Sequence, residues 1–406
     1  MTMKPALLFY CQHSLGMGHL VRALELATAL AREFAVVFLS GGRFPVGIDV
    51  PQEVTIVDLP PLGMDAASQL ISLNERYSVD AAKALRQWRI MDTFKALRPA
   101  AILIELFPFG RKKFADEIIP LLEAARAMSG VRPRVFCSLR DILVGGRRDQ
   151  QLHDDRAART ANTYFDAVLL HADAAFVRLE ETFQPSIPLE VPVHYTGFVT
   201  SVRRPAAIEL REPCVLISAG GGMVGAPLLR AAAEAQRRLG RDAPLPMRIV
   251  AGPFLPDEEW RALCRTASAA AGIEVIRTLP KLGGMFSRVT ASISQCGYNT
   301  AMEILASGVP ALVVPFSQGY EDEQMSRARR LARLGLVRVL EPSRLTPSTL
   351  AEALSELCRF RPKAVTLDLD GARATADLIA RLVAEGHAAR KIAFNKDQRR
   401  HLGQLA

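Results

Sequence analysis

The residues best suited to chemistry follow apolar, strand-like runs, and the most informative group is the stretch 294–303, Ser-Gln-Cys-Gly-Tyr-Asn-Thr-Ala-Met-Glu. It comes directly after the apolar run 289–293 and opens a short helical pattern. A helix N-terminus attracts anions because its first N–H groups have no partner within the helix. Asn299 or Thr300 is predicted to cap this helix. Glu303, one turn further on, can accept hydrogen bonds from two hydroxyls, as a ribose diol presents. The plainer alternative is an ordinary capped helix with a solvent-facing glutamate.

A histidine and a carboxylate follow two other strand-like runs. His19 opens a helical pattern, Leu20 to Arg32, after the apolar run Ala6 to Cys11. Glu105 ends the buried run that starts at Ala101. Parallel strands present their carboxyl ends at one sheet edge, where open α/β sheets bind ligands. His19 is therefore a candidate general base that Glu105 can orient. The alternatives are that His19 only packs or caps the turn, and that Glu105 caps the following helix.

Two glycine loops connect a strand pattern to a helix pattern. The first contains Gly16-x-Gly18, and the second is the run 219–226, Ala-Gly-Gly-Gly-Met-Val-Gly-Ala. Such a loop lets the backbone approach a phosphate closely. The first loop is not a dinucleotide fingerprint, because position 21 is Val, and the second lacks the Gly-Lys-Ser/Thr of a P-loop.

The positioning elements are alternating buried strands and amphipathic helices, and the pattern occurs twice. It predicts an α/β protein of two doubly wound, Rossmann-like domains that face a cleft. We expect an N-terminal domain at 1–200, a linker at 201–213, a C-terminal domain at 214–370 and a final helix with a basic tail at 371–406, which can pack back on the N-terminal domain. The segment 65–97 is predicted to be largely helical, with a mobile loop near its start.

Composition narrows the function classes. Of the 406 residues, 49% are hydrophobic and 23% charged, with a formal net charge of +9, which favours anionic partners. Aromatic residues make up only 6%, so nucleic-acid stacking platforms gain little support. Six scattered cysteines, the lack of a signal-peptide pattern and the absence of a membrane-spanning run favour a cytoplasmic protein with reduced thiols.

Three segments carry weaker signals. The loop 107–114, Phe-Pro-Phe-Gly-Arg-Lys-Lys-Phe, can touch lipid headgroups or an acidic acceptor, but a solvated loop with inward-facing aromatics is favoured. The basic C-terminal tail is by default solvated, with membrane contact as the minor alternative. Asp368 and Asp370 have a spacing that can hold Mg²⁺, but we interpret them as a capping or solvated pair.

These motifs together resemble the glycosyltransferases of the GT-B fold. The branch with the strongest resemblance contains the bacterial lipid-II-forming N-acetylglucosaminyltransferase, of glycosyltransferase family 28. Gly16-Met17-Gly18-His19 resembles that family's N-domain glycine loop, and the run 218–226 its C-domain loop. The stretch 295–310 is similar to the His-Cys-Gly-Trp-Asn-Ser-x-x-Glu…Gly-Val-Pro box of nucleotide-sugar transferases.

The resemblance implies transfer of a sugar from a nucleotide sugar, most commonly a UDP-sugar, to an acceptor hydroxyl. It implies inversion, no metal and no other cofactor, with His19 as base and Glu105 beside it. Glu303 would hold the ribose and the Glu323-Gln324 pair the sugar hydroxyls. The remaining donor-binding set would comprise Gly16, Gly18, Ser218, Gly221, Gly222, Gly297, Asn299 and Thr300.

Two departures from the family pattern stand out. Gln295 replaces the histidine that contacts phosphate, so that contact would be neutral here. The Trp and Gln that begin the plant-type box near the nucleobase are not evident around 279–282. A preference for uracil is therefore inferred only from the donors that the family commonly uses. The acceptor stays open between a glycolipid, a polysaccharide and a small molecule, and so do the oligomeric state and peripheral membrane contact. The alternatives in function are an epimerase or hydrolase of the same architecture, and a non-catalytic nucleotide-sugar-binding subunit.

Overall fold

The structure is a computed structural model that describes residues 3–13, 17–45, 47–65, 69–202, 211–279, 282–317 and 322–403. Side chains at 387 and 389–403 are not described.

The N-terminal half is built on a seven-stranded parallel sheet covered by helices. The strands of this sheet are β1 (Ala6–Cys11), β2 (Ala35–Ser40), β3 (Val54–Asp58), β6 (Ala101–Glu105), β7 (Arg134–Arg140), β8 (Ala167–His171) and β9 (Val193–Tyr195). Two further strands, β4 (Leu62–Met64) and β5 (Leu70–Ser72), form a separate antiparallel hairpin. The helices are α1 (Gly18–Leu30), α2 (Val79–Leu97), α3 (Ala115–Ala127) and α4 (Gln150–Tyr164). The sheet order is β3-β2-β1-β6-β7-β8-β9.

The C-terminal half repeats the plan with a six-stranded parallel sheet. Its strands are β10 (Glu212–Ser218), β11 (Met247–Val250), β12 (Ile273–Ile276), β13 (Val289–Ser294), β14 (Ala311–Val313) and β15 (Arg338–Val339). The helices are α5 (Ala226–Leu239), α6 (Asp257–Ser268), α7 (Leu282–Phe286), α8 (Tyr298–Ser307), α9 (Glu323–Arg333), α10 (Pro347–Leu357) and α11 (Gly371–Gly403). The sheet order is β12-β11-β10-β13-β14-β15.

Both sheets reverse their strand order at one point, between β1 and β6 in the first and between β10 and β13 in the second. The loops that leave the two neighbouring strands there diverge to opposite faces and leave a crevice at the carboxyl ends. All four strands that flank these points are almost fully buried at their carboxyl ends, as their continuous apolar runs predict. The predicted α/β fold class is confirmed.

The larger part of the segment 65–97 is helical, from Val79 to Leu97, as predicted. Ser78 caps that helix by accepting a hydrogen bond from the Ala81 N–H at 3.1 Å, and this cap marks where the helix begins. Before the helix, β5 pairs with β4, a hairpin that the sequence did not indicate.

The chain crosses between the two halves twice, and the crossings are bonded to each other. The Phe198 N–H donates to the Asp368 carbonyl at 2.8 Å, and the Gly371 N–H donates to the Phe198 carbonyl at 3.0 Å. Helix α11 then packs on α1 of the N-terminal half, where Ile379 and Val383 enter the same apolar cluster as Leu20. Within the described part of the chain, no helix is long and apolar enough to cross a membrane.

Candidate active site

His19 and Glu105 meet at the switch point of the first sheet. His19 lies in the first turn of α1, which follows β1, and Glu105 is the last residue of β6, the neighbouring strand. The His19 Nδ1 is 2.6 Å from the Glu105 Oε1. Two residues far apart in sequence thus form a pair because their strands are neighbours in the sheet.

This pair sets the tautomer of the imidazole. Burial raises the pKa of the Glu105 carboxyl, but the Arg22 guanidinium and the His19 hydrogen bond outweigh burial and hold that pKa well below its usual range. An ionised carboxylate only accepts hydrogen bonds, so Nδ1 carries the proton and Nε2 presents a lone pair. Burial, with the charge of Arg111, lowers the pKa of His19 to about 3, so the imidazole is neutral at physiological pH. In the described part of the chain, no hydrogen bond engages its Nε2.

The second switch point carries the two sequence motifs of the C-terminal half. Ser218 and Ser294 are paired in register at the ends of β10 and β13, and each is followed by one of the loops. The two loops are joined by the Gln295 Nε2, which donates to the Val224 carbonyl at 3.3 Å. The predicted donor motifs are therefore neighbours in space.

The glycine loop after β10 needs glycine at position 222. Gly222 has φ +89°, and a Cβ there would lie 2.4 Å from the Ala251 carbonyl oxygen. Gly221 precedes it, and its carbonyl accepts a hydrogen bond from the Phe254 N–H at 2.9 Å. Helix α5 follows with Gly225 as N-cap and no side-chain cap. The loop thus presents backbone and an uncapped helix start toward the crevice.

Helix α8 also begins without a side-chain cap, so the prediction that Asn299 or Thr300 caps it was wrong. Its N-cap is Gly297, which has no side chain to offer. Asn299 instead reaches across to the N-terminal half, where its Nδ2 donates to the Gly18 carbonyl at 3.0 Å. Thr300 lies in the same first turn. The uncapped N-terminus leaves its first N–H groups for a ligand.

This bond also connects the two halves of the site, because Gly18 directly precedes His19. Gly16, the other glycine of the first loop, lies outside the described residues.

Glu303 is buried between the halves and not solvent-facing. Burial, with the nearby charge of Glu25 on α1, raises the pKa of Glu303 to about 8. A Cβ added at Gly283 would lie 2.7 Å from the Glu303 Oε1, so Gly283 forms one wall of its pocket. This carboxyl is therefore mostly protonated at neutral pH.

The Glu323-Gln324 pair at the start of α9 is already bonded to protein. The Gln324 Oε1 accepts hydrogen bonds from the Cys296 N–H and the Phe316 N–H, each at 3.0 Å, which leaves only its NH₂ group for a ligand. Glu323 forms an ion pair with Arg140 at the end of β7. Both residues lie beside the stretch 294–303. Gln324 connects two loops of the C-terminal half, and Glu323 connects that half to the N-terminal half.

Sequence reasoning missed a layer of residues that joins the two halves. Arg327 on α9 and Asp141 after β7 are fully buried and form a two-fold ion pair with both distances 2.7 Å. The Arg327 Nη1 also donates to the Cys296 carbonyl at 2.8 Å. No sequence pattern connects these two positions, because Arg327 belongs to the C-terminal half and Asp141 to the N-terminal half.

Tyr298 completes this layer. Its hydroxyl donates to the His171 carbonyl at 3.0 Å and accepts from the Val199 N–H at 2.8 Å. Arg22 lies over its ring at 5.0 Å from the centroid, and the same arginine pairs with Glu105. Arg22 follows His19 by three positions on one helix, and this spacing was the one sequence signal for its role.

Among the described residues, no cluster of three or more His, Cys, Asp or Glu side chains has the geometry to hold a metal ion.

Comparison with known proteins agrees with this arrangement. Residues 216–382 match the glycosyltransferase family 28 C-terminal domain. The UDP-N-acetylglucosamine–N-acetylmuramyl-(pentapeptide) pyrophosphoryl-undecaprenol N-acetylglucosamine transferase of Methylorubrum extorquens (strain PA1) is 26% identical, with 96% of this chain and 100% of the relative covered. The transferase of the same name from Chromohalobacter salexigens is 27% identical over 43% of this chain and 47% of its own length.

Solved structures share the fold at low sequence identity. Acinetobacter baumannii MurG superimposes with a TM-score of 0.55 at 19% identity, covering 93% of this chain and 99% of its own. The calicheamicin glycosyltransferase CalG4 gives a TM-score of 0.55 at 17% identity, covering 97% of this chain and 98% of its own.

Fold, site and relatives together define a glycosyltransferase of the GT-B fold that depends on a nucleotide sugar. Within that class the chain resembles the bacterial lipid-II-forming N-acetylglucosaminyltransferases, and its residues 216–382 match the family 28 C-terminal domain. The predicted family resemblance and enzyme class are confirmed.

Proposed function

We propose that the protein transfers a sugar from a UDP-sugar to a hydroxyl of a lipid-linked sugar, with inversion and without a metal ion. The observation that carries this proposal is the bond between the Asn299 Nδ2 and the Gly18 carbonyl at 3.0 Å. It sets the open N-terminus of α8 against the start of α1, where His19 is paired with Glu105. A base and an anion-binding helix end therefore share one crevice.

The transfer step follows from this geometry. The acceptor oxygen attacks the anomeric carbon of the donor while its bond to the diphosphate breaks, and the hydroxyl proton passes to the His19 Nε2. Glu105 then stabilises the imidazolium through Nδ1. The negative charge that develops on the leaving diphosphate meets the first N–H groups of α8, which have no side-chain cap, with the uncapped start of α5 beside them. These groups take the part that a metal ion plays in other transferases.

The low pKa of His19 comes from the protein around it, because burial and the Arg111 charge disfavour the imidazolium. A bound diphosphate brings negative charge into the same crevice, and negative charge raises the pKa of a nearby histidine. Donor binding thus increases the basicity of His19 when an acceptor hydroxyl is present.

Glu303 is the proposed ribose ligand. It lies one turn along α8 from Asn299, and Gly283, which has no side chain, lies directly against its carboxyl. A carboxylate accepts both hydroxyls of a ribose diol. Gly18, Ser218, Gly221, Gly297 and Thr300 surround the path of the diphosphate, and Gln324 has one NH₂ group left for the sugar.

The lipid-linked acceptor is proposed from the relatives and from charge. The relatives are named for an acceptor that carries a pyrophosphoryl-undecaprenol chain. The formal net charge of +9 suits such an anionic substrate and the acidic surface in which its lipid is anchored. We therefore place the protein, as part of the proposal, at the inner face of the membrane.

The test is transfer from a panel of UDP-sugars to a lipid-linked sugar acceptor, with and without a metal chelator. We expect activity that survives chelation, and no free sugar or epimer when the acceptor is omitted. His19→Ala should lower kcat by about a hundredfold to ten-thousandfold with UDP affinity unchanged. His194→Ala, a histidine on the edge strand β9, is the matched control.

A His19→Ala enzyme with full activity contradicts the base assignment. Release of free sugar without an acceptor would favour a hydrolase, and UDP binding without turnover on any acceptor would favour a binding subunit.

A further inference from the structure

The loop between β6 and α3, residues 106–114, is not used by the proposed transfer. Its phenylalanines Phe107, Phe109 and Phe114 are at most 4% exposed, so the favoured interpretation of inward-facing aromatics is confirmed. The three basic residues of the loop lie at 111–113, between Phe109 and Phe114. Lys112 is exposed, whereas Arg111 is half-buried and has φ +58°. The loop therefore points one of its cations toward the protein.

Arg111 lies among the titratable groups of the first switch point. Its charge lowers the pKa of His19, and it also acts on Glu105 and on Cys11 at the end of β1. Arg140, at the end of β7, acts on both Arg111 and His19. The chain path agrees, because Arg111 lies in the loop that leaves β6 directly after Glu105, at the sheet edge where Glu105 meets His19.

Among the described residues, the guanidinium of Arg111 has no hydrogen-bond or ion-pair partner. Its Nε is buried and makes no hydrogen bond. Glu105 pairs instead with Arg22 and His19, Glu323 with Arg140 and Asp141 with Arg327. These three carboxylates are therefore already paired with other groups.

A half-buried cation with a buried, unsatisfied N–H is costly unless a ligand supplies an acceptor and a counter-charge. A guanidinium prefers planar, bidentate anions, and phosphate oxygens match its geometry. In a transferase such phosphate belongs either to the donor or to the acceptor. The proposed binding site for the donor diphosphate lies at the second switch point. Arg111 instead lies in the loop after β6 of the first sheet, on the side of His19.

We propose that Arg111, supported by Arg140, binds a phosphate group of the acceptor beside His19. The inference rests on the proposed function and deepens it: the acceptor carries a phosphate or diphosphate close to its reacting hydroxyl, and Arg111 selects for that group.

The experiment is calorimetric titration in two arms. The first arm measures UDP binding to the full chain. The second arm titrates inorganic pyrophosphate into UDP-saturated protein, where the proposed site for the donor diphosphate is already filled. We expect one equivalent of pyrophosphate to bind the wild type. Arg111→Gln should weaken that binding at least about tenfold, the effect of one lost charged hydrogen bond, and leave UDP affinity unchanged.

Two further variants sharpen the comparison. Arg111→Lys keeps the charge and should retain part of the pyrophosphate affinity. Lys112→Gln removes an equal charge from the exposed neighbour and should change nothing. If Arg111→Gln binds pyrophosphate as the wild type does, or if it weakens UDP instead, the acceptor assignment is overturned. A wild type that binds no UDP would contradict the proposed function itself.

A second measurement does not depend on how the variants fold. Phenylglyoxal labelling of the UDP-saturated wild type, with peptide mass spectrometry, should show that pyrophosphate slows modification of Arg111. Labelling at an unchanged rate overturns the proposal.

Discussion

Donor binding should release a proton from Glu303. Its carboxyl is buried beside Glu25, and its pKa of about 8 keeps it mostly protonated at pH 7. If it accepts both ribose hydroxyls, it must bind as the carboxylate. With a pKa of about 8, roughly nine-tenths of the groups are protonated at pH 7, so binding should release about 0.9 proton. Affinity should rise about tenfold per pH unit up to pH 8 and level off above it.

The assay is calorimetry with a UDP-sugar in the absence of acceptor. Titrations at pH 7 in buffers of different ionisation enthalpy give the number of protons released, and titrations from pH 6 to pH 9 give the slope. A UDP-sugar is preferred to UDP because its diphosphate does not titrate in this range.

Two variants separate the carboxyl from other sources of pH dependence. Glu303→Gln should abolish proton release and, at pH 9, weaken binding by about 1–3 kcal/mol, the value of lost charged hydrogen bonds. Glu25→Gln should lower the pKa of Glu303, because the Glu25 charge helps to raise it, and so strengthen binding at pH 7. A wild type with no proton release and a flat pH profile would refute the assignment of Glu303 as an ionised ribose ligand.

Two further predictions concern stability. Arg327→Met should lower the free energy of unfolding, measured with urea, by about 3–5 kcal/mol, because it leaves the fully buried Asp141 charge unpaired. The double variant Arg327→Met, Asp141→Leu should recover most of that loss. A double variant as unstable as the single variant would contradict the pairing. Stability should also fall as the pH drops below 6.5, by about 4 kcal/mol per pH unit between about pH 5.5 and about pH 4.5. Three histidines with folded pKa values of about 4, 3 and 3 must take up protons on unfolding, namely His13, His19 and His171. His171→Gln should remove about a third of that slope, and an unchanged slope would show that His171 does not titrate on unfolding.

The α/β class and the position of both glycine loops were readable from the sequence because they depend on local patterns. Continuous apolar runs predict buried parallel strands, and a glycine loop between strand and helix needs only neighbouring residues. The approach of Glu105 to His19 was also predictable, because both follow strands whose carboxyl ends share an edge. The β4–β5 hairpin was not, because a short strand pair depends on which partner is available, and local propensity does not specify it.

The roles inside the donor stretch needed the tertiary structure. Asn299 carries a strong capping propensity, yet its amide bonds to Gly18, a residue 281 positions away in sequence. Gln324 matched a sugar-binding position, and its oxygen proved to hold two backbone N–H groups. In both cases a partner from a distant loop competes with the local interaction, and only the folded chain decides between them.

The sequence by itself determined two doubly wound domains, the pair of glycine loops and the identity of the groups at each sheet edge. These follow from periodicity and from residues close together in the chain. Only the tertiary structure decided the protonation of Glu303, the unpaired state of Arg111 and the layer of Tyr298, Arg327 and Asp141 between the halves. Burial and charge depend on every neighbour in space, and those neighbours come from parts of the sequence that no local pattern connects.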